Sequence, residues 1–161
     1  MNAYEISPDV AAGPWLAGAQ FIDAFRVERD GGALDAREAA HRMFSRSPRW
    51  IEALLRLRNL IVAPLGLKTS GASEPGTLGG TLGMIGIFPV VSETPERLVA
   101  GFNDSHLDFR VIVDVAPAGA GQRITATTLV RTHNRFGRFY LAVILPFHRL
   151  IVRSMLRRVA T

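Results

Sequence analysis

Residues 97–115 read R-L-V-A-G-F-N-D-S-H-L-D-F-R-V-I-V-D-V, and this stretch decides the fold. Two alternating runs flank Asn103 and Asp104, residues that suit a tight reversal, so the segment predicts a β-hairpin. Leu98, Ala100 and Phe102 share one face of the first strand, and Leu107, Phe109, Val111, Val113 and Val115 share one face of the second. An even loop puts both sets on the same side of the sheet. An unbulged three-residue loop turns Leu98 and Phe102 to the polar side, so the even loop is preferred. The opposite face then carries His106, Asp108, Arg110 and Asp114, with Gly101 leaving room near His106. One apolar and one charged face predict a sheet covered on one side only.

Upstream, residues 1–18 contain Pro8, Gly13, Pro14 and Gly18 and read as an irregular arm tacked to the body by Trp15 and Leu16. Residues 19–28 alternate, with Phe21, Asp23, Phe25 and Val27 against Ile22, Ala24, Arg26 and Glu28, which predicts the first strand. Asp35 followed by Glu38 has the form of a capping box and opens a helix over about 36–46, with Ala39, Ala40, Met43 and Phe44 inward. Ser47-Pro48 starts a second helix reaching about residue 62, with Trp50, Leu54, Leu57 and Ile61 at helical spacing. Residues 69–83 form a glycine-rich loop. The preceding helix and following strand argue against a phosphate loop and for a connector. Residues 84–92 predict a strand in which Pro89 marks an edge or a bulge.

Downstream, residues 123–134 predict a long strand with Ile124, Ala126, Thr128, Val130 and Thr132 on its more apolar face. The last element is a helix over about 136–159. Phe136, Phe139, Tyr140, Val143, Phe147, Leu150, Ile151 and Met155 recur at steps of three and four, and this stripe is expected to close the sheet. Pro146 should kink it.

At 161 residues, 48% hydrophobic and 20% charged, the chain suits one globular domain, 1–161. There is no cysteine, which excludes disulfides and thiolate chemistry. The opening residues lack a basic and an apolar region, so no signal peptide is expected, and the cytoplasm is the default location. No stretch of about 18 apolar residues appears, so neither a membrane span nor integral membrane association is expected. The net charge of +5 is uneven: seven arginines and no acid follow from residue 131 onward, while the rest sums to −2. A single lysine and no recognisable motif argue against nucleic acid.

The order strand, two helices, antiparallel strands, long C-terminal helix resembles the helix-grip arrangement of the START-like, polyketide-cyclase-like superfamily (SRPBCC). More narrowly, H-L-D-F-R at 106–110, R-T-H-N at 131–134 and F-H-R-L-I-V-R-S-M-L-R-R at 147–158 resemble a bacterial family of unknown function, over roughly residues 20–158. The resemblance implies an α+β fold in which a curved sheet wraps the last helix around a cavity for a small hydrophobic or amphipathic molecule. It carries over no catalytic residue.

Within that frame Trp50, Phe139, Tyr140 and Phe147 are expected to bound the cavity, and Arg110 and Arg131 to clamp an acidic head group. His106, Asp108 and His133 offer an acid–base cluster for a cyclase, dehydratase or hydrolase. Face parity favours a cross-strand ladder on the solvent side instead. Metal ligation by the same three residues is set aside, because the spacing is unremarkable, and no cofactor is expected. His41 and His148 stand alone on helices and read as hydrogen-bonding residues. A basic helix can also lie on anionic lipid, but the same stripe is needed against the sheet. A module that pairs into a homodimer through its sheet is the third reading.

Overall fold

The computed structural model describes residues 2–45, 83–86, 88–103 and 106–161. The expected second helix, with Trp50, and the loop over 69–82 lie outside the described residues. The elements are β1 (Tyr4–Ile6), β2 (Phe21–Arg29), α1 (Ala36–Phe44), β3 (Met84–Ile85), β4 (Phe88–Glu93), β5 (Arg97–Asn103), β6 (Leu107–Ala118), β7 (Gly121–Thr132) and α2 (Arg135–Ala160). All strands join one open, curved antiparallel sheet in the order β1-β2-β7-β6-β5-β4-β3. Sheet and long C-terminal helix together form an α+β helix-grip arrangement.

The hairpin pairs as its alternation dictates. Leu98 faces Val113, Ala100 faces Val111 and Phe102 faces Phe109, so the loop is even and both apolar sets point inward. Gly101, however, lies opposite Arg110 rather than near His106. A Cβ at Gly101 would overlap the Phe109 carbonyl and press on the Arg110 side chain. β7 continues the inner face with Ile124, Ala126, Thr128 and Val130, all buried.

Against this face lie α1 and the C-terminal part of α2. Asp35 caps α1 by accepting from the Glu38 amide at 2.8 Å. The Glu38 carboxylate turns to Arg42 at 2.9 Å, so only half of the capping box forms. Ala36, Ala39, Ala40 and Met43 join Val152, Met155, Leu156 and Val159 in the main core. Asn134 caps α2, its Oδ1 accepting from the Gly137 amide at 2.8 Å.

Four further expectations are corrected. The arm is not wholly irregular, since Tyr4–Ile6 pairs with β2. The strand over 84–92 is two strands: Gly86, at φ 59°, supplies the left-handed turn that folds β3 back on β4. Pro89 sits opposite Met84 beside the sheet edge, and a bulge follows between Val90 and Ser92. The sheet is also covered on both faces. Leu16 of the arm meets Val99, Ile112 and Leu129 in a second core on the outer side, flanked by Val10, Ala12, Trp15 and Ala19. Arg110 is buried on that face as well, directly opposite Leu129.

The fourth correction concerns α2. Phe139, Val143, Phe147 and Leu150 are exposed, whereas the buried line runs through Gly137, Val152, Met155, Leu156 and Val159. The helix carries apolar residues on two opposite sides, so its period identified a helix without fixing which side meets the sheet. By length and composition it is also apolar enough to cross a membrane, with 17% of the relevant window buried.

Candidate functional site

Two polar groups compete for a role, one on each face of the sheet. On the outer face, β6 and β7 are neighbours with Asp108 opposite Arg131, so the expected cluster shares one margin. His133, just past β7, places Nε2 3.0 Å from Asp108 Oδ1. His106 stands apart from that contact. Its Nδ1 pairs with the Asn134 Nδ2 at 2.8 Å, its ring meets Phe136 edge-on at 4.9 Å, and its carbonyl accepts from the His133 amide. The carboxamide nitrogen can only donate, so the His106 proton belongs on Nε2.

The two arginines are already engaged. Arg110 is buried, and its Nη1 donates to the carbonyls of Phe109 at 2.8 Å and Phe102 at 3.2 Å. Burial holds its guanidinium below the ordinary value, partly offset by the Asp108 charge. Arg131 donates to the Ala17 carbonyl at 3.2 Å and so ties down the arm. Further along the same face Arg97 and Asp114 oppose each other directly, with contacts of 2.5 and 3.1 Å. The arrangement is a ladder of cross-strand pairs, and of the expected acid–base cluster Asp108 and His133 meet while His106 does not join them.

The inner face holds a pair that sequence reasoning missed. Asp23 projects from β2 toward α2, where His148 Nε2 lies 3.2 Å from Oδ1 and 3.1 Å from Oδ2. The side chains are only 7% and 15% exposed, and Phe21 meets the imidazole edge-on at 6.0 Å. Oδ1 takes the hydrogen bond, while Oδ2 accepts none among the described residues. Oδ2 is nonetheless within 3.1 Å of the same imidazole nitrogen, so the carboxylate is buried against His148 as a pair. Nothing local to H-R-L-I announces this role. The partner is 125 residues away, and only the inward parity of Asp23 among Phe21, Phe25 and Val27 gave a hint.

Apolar surface surrounds this pair. Leu141, Ile144 and Leu145 continue the buried line of α2 from Gly137 toward Val152, yet they are only half-buried. At the far side of the inner face Phe44, Phe88, Phe102 and Phe109 form one aromatic cluster with ring centroids 5.1–5.9 Å apart. These rings are also half-buried. Tyr140 is half-buried, while Phe139 and Phe147 lie on the helix side turned from the sheet. Among the described residues no group of three metal-ligating side chains occurs. The inner face thus joins half-buried apolar side chains to one buried carboxylate–imidazole pair among the described residues.

A family model described as "Protein of unknown function (DUF2867)" matches residues 15–155. No curated protein and no solved structure matches the chain.

Proposed function

This chain belongs to a family of proteins of unknown function, DUF2867, and from that premise we propose that it binds a small hydrophobic or amphipathic molecule between the sheet and α2. The observation that carries this reading is the sheet-facing line of α2. It is buried at Gly137 and again from Val152 to Val159, but half-buried at Leu141, Ile144 and Leu145. A helix seated at both ends and, among the described residues, only half-covered in its middle is where an apolar guest would sit. The buried Asp23–His148 pair on the inner face supplies the polar anchor, which points to a ligand bearing a hydroxyl or amine. On this reading the protein is a divergent member of the START-like superfamily.

The test is native mass spectrometry of freshly purified protein, followed by organic extraction. A retained adduct of a few hundred daltons supports the proposal. Leu145→Asp should abolish it and His133→Ala should not. Uptake that depends on His133 and ignores Leu145 moves the site to the outer face.

Catalysis is the second reading, and the 3.0 Å contact of His133 with Asp108 favours it. In that case the extracted molecule returns chemically changed after incubation with fresh protein, and His133→Ala stops the conversion.

A further inference from the structure

The face of α2 turned from the sheet carries Phe139, Val143, Phe147 and Leu150, which are 68%, 50%, 44% and 58% exposed. Their spacing of four, four and three residues aligns them over about three helical turns, roughly opposite the buried line through Val152, Met155 and Val159. Large apolar side chains in such a row are not the ordinary scatter of a protein surface. The reason for reserving this stripe for the sheet is gone, because another side of the helix is packed there.

What flanks the stripe is cationic. Arg135, Arg138, Arg149 and Arg157 are exposed on the same helix, and the chain has no acid after Asp114. We propose that α2 docks on an anionic bilayer surface, inserting Phe139, Val143, Phe147 and Leu150 among the acyl chains while the arginines meet lipid phosphates. An apolar stripe bordered by arginine on a helix lying in the interface plane is what such a surface selects. Three observations point to this occupant. Charge complementarity favours an anionic partner. A second copy would lay one acid-free, arginine-bearing helix along another. Composition alone makes the helix apolar enough for a bilayer interior. Lying on the surface fits better than crossing it, since Val152, Met155, Leu156 and Val159 belong to the main core and anchor the helix to the domain. This proposal is independent of the ligand reading.

The experiment is co-sedimentation of the full chain with vesicles rich in phosphatidylglycerol and with vesicles of phosphatidylcholine alone. Binding is expected to the anionic vesicles and to weaken with salt. Phe147→Glu should lower partitioning by about tenfold or more. Arg138→Gln and Arg149→Gln should each lower it by about fivefold. Val143→Glu gives a second probe of the stripe, and circular dichroism identifies the variants that remain folded. Absent sedimentation, or equal binding to both vesicle types that Phe147→Glu and Val143→Glu leave intact, overturns the proposal. So does a doubled solution mass that Phe147→Glu halves, which assigns the stripe to a second copy. Because the chain has no cysteine, Phe147→Cys can be labelled uniquely. A thiol blocked from reagent in the vesicle-free monomer assigns the stripe to residues 46–82 of the same chain and likewise overturns it.

Discussion

At single positions the molecule is most exacting where backbone or charge is enclosed. Gly101 leaves room for the Arg110 side chain, which donates to the carbonyls of Phe102 on β5 and of Phe109 on its own strand. Gly101→Ala should cost about 2 kcal/mol in denaturant unfolding, since the added methyl meets backbone that cannot yield. The Asp23–His148 pair behaves differently, because its cost lies in separation. His148→Leu leaves a carboxylate buried with no partner and should cost about 3 kcal/mol. Adding Asp23→Leu to that variant should recover part of the loss, which a double-mutant cycle reads as coupling. If the double instead costs the sum of the two singles, the two side chains do not interact. His148 was legible only as a lone histidine on a helix. A contact across 125 residues leaves no local trace, whereas Gly101 was recognised as a space-giver but assigned to the wrong neighbour.

At the level of elements, two joints hold helices to the sheet. The Asn134 carboxamide caps α2 with its oxygen and engages His106 with its nitrogen, coupling the helix start to the β5–β6 loop. Asn134→Ala should cost about 1 kcal/mol. Asn134→Asp keeps the capping oxygen but gives up the donor to His106, so unfolding midpoints should rank wild type, Asn134→Asp, Asn134→Ala. The second joint is the bidentate contact of Arg37 on α1 with Glu93 on β4, at 2.6 and 2.5 Å. Its hydrogen bonds hold the Glu93 carboxyl below its ordinary value of 4.5 and raise the Arg37 guanidinium above its own. A depressed carboxyl stabilises the fold above its unfolded pKa and loses that contribution as pH falls through the folded one. Solvent screening keeps the contribution to about 0.5 kcal/mol. The gap in stability between wild type and Glu93→Gln should therefore be constant near neutral pH and close below about pH 4. A gap that persists in acid would mean that the charge of Glu93 is not what matters.

These elements were legible to different depths. Strict alternation gave β5, β6 and their register, because a slip of one residue would turn every side chain over. The Asp35 cap gave the start of α1. The split between β3 and β4 escaped notice, since M-I-G-I-F-P-V-V alternates plausibly through the turn at Gly86. The side of α2 that packs was unreadable for a different reason. Leu141, Ile144, Leu145 and Val152 compete with Phe139, Val143, Phe147 and Leu150, and periodicity cannot rank two apolar sides.

For the molecule as a whole, the decisive feature is the second core beneath the arm, which the charged residues of the hairpin had hidden. With Leu16 on one side and the helices on the other, the middle of β6 and β7 has no wet face, from Val111 to Val113 and from Ile124 to Leu129. That arrangement sets a clock on the backbone. Deuterium reaches an amide only when its hydrogen bond opens, and a strand sealed on both faces opens only with the entire domain. Amides in these two segments should exchange last, together, and at the rate of global unfolding. Those of β1 and β3, at the two ends of the sheet, should exchange orders of magnitude sooner. The centre of the sheet thereby becomes a timer for the stability of everything packed against it.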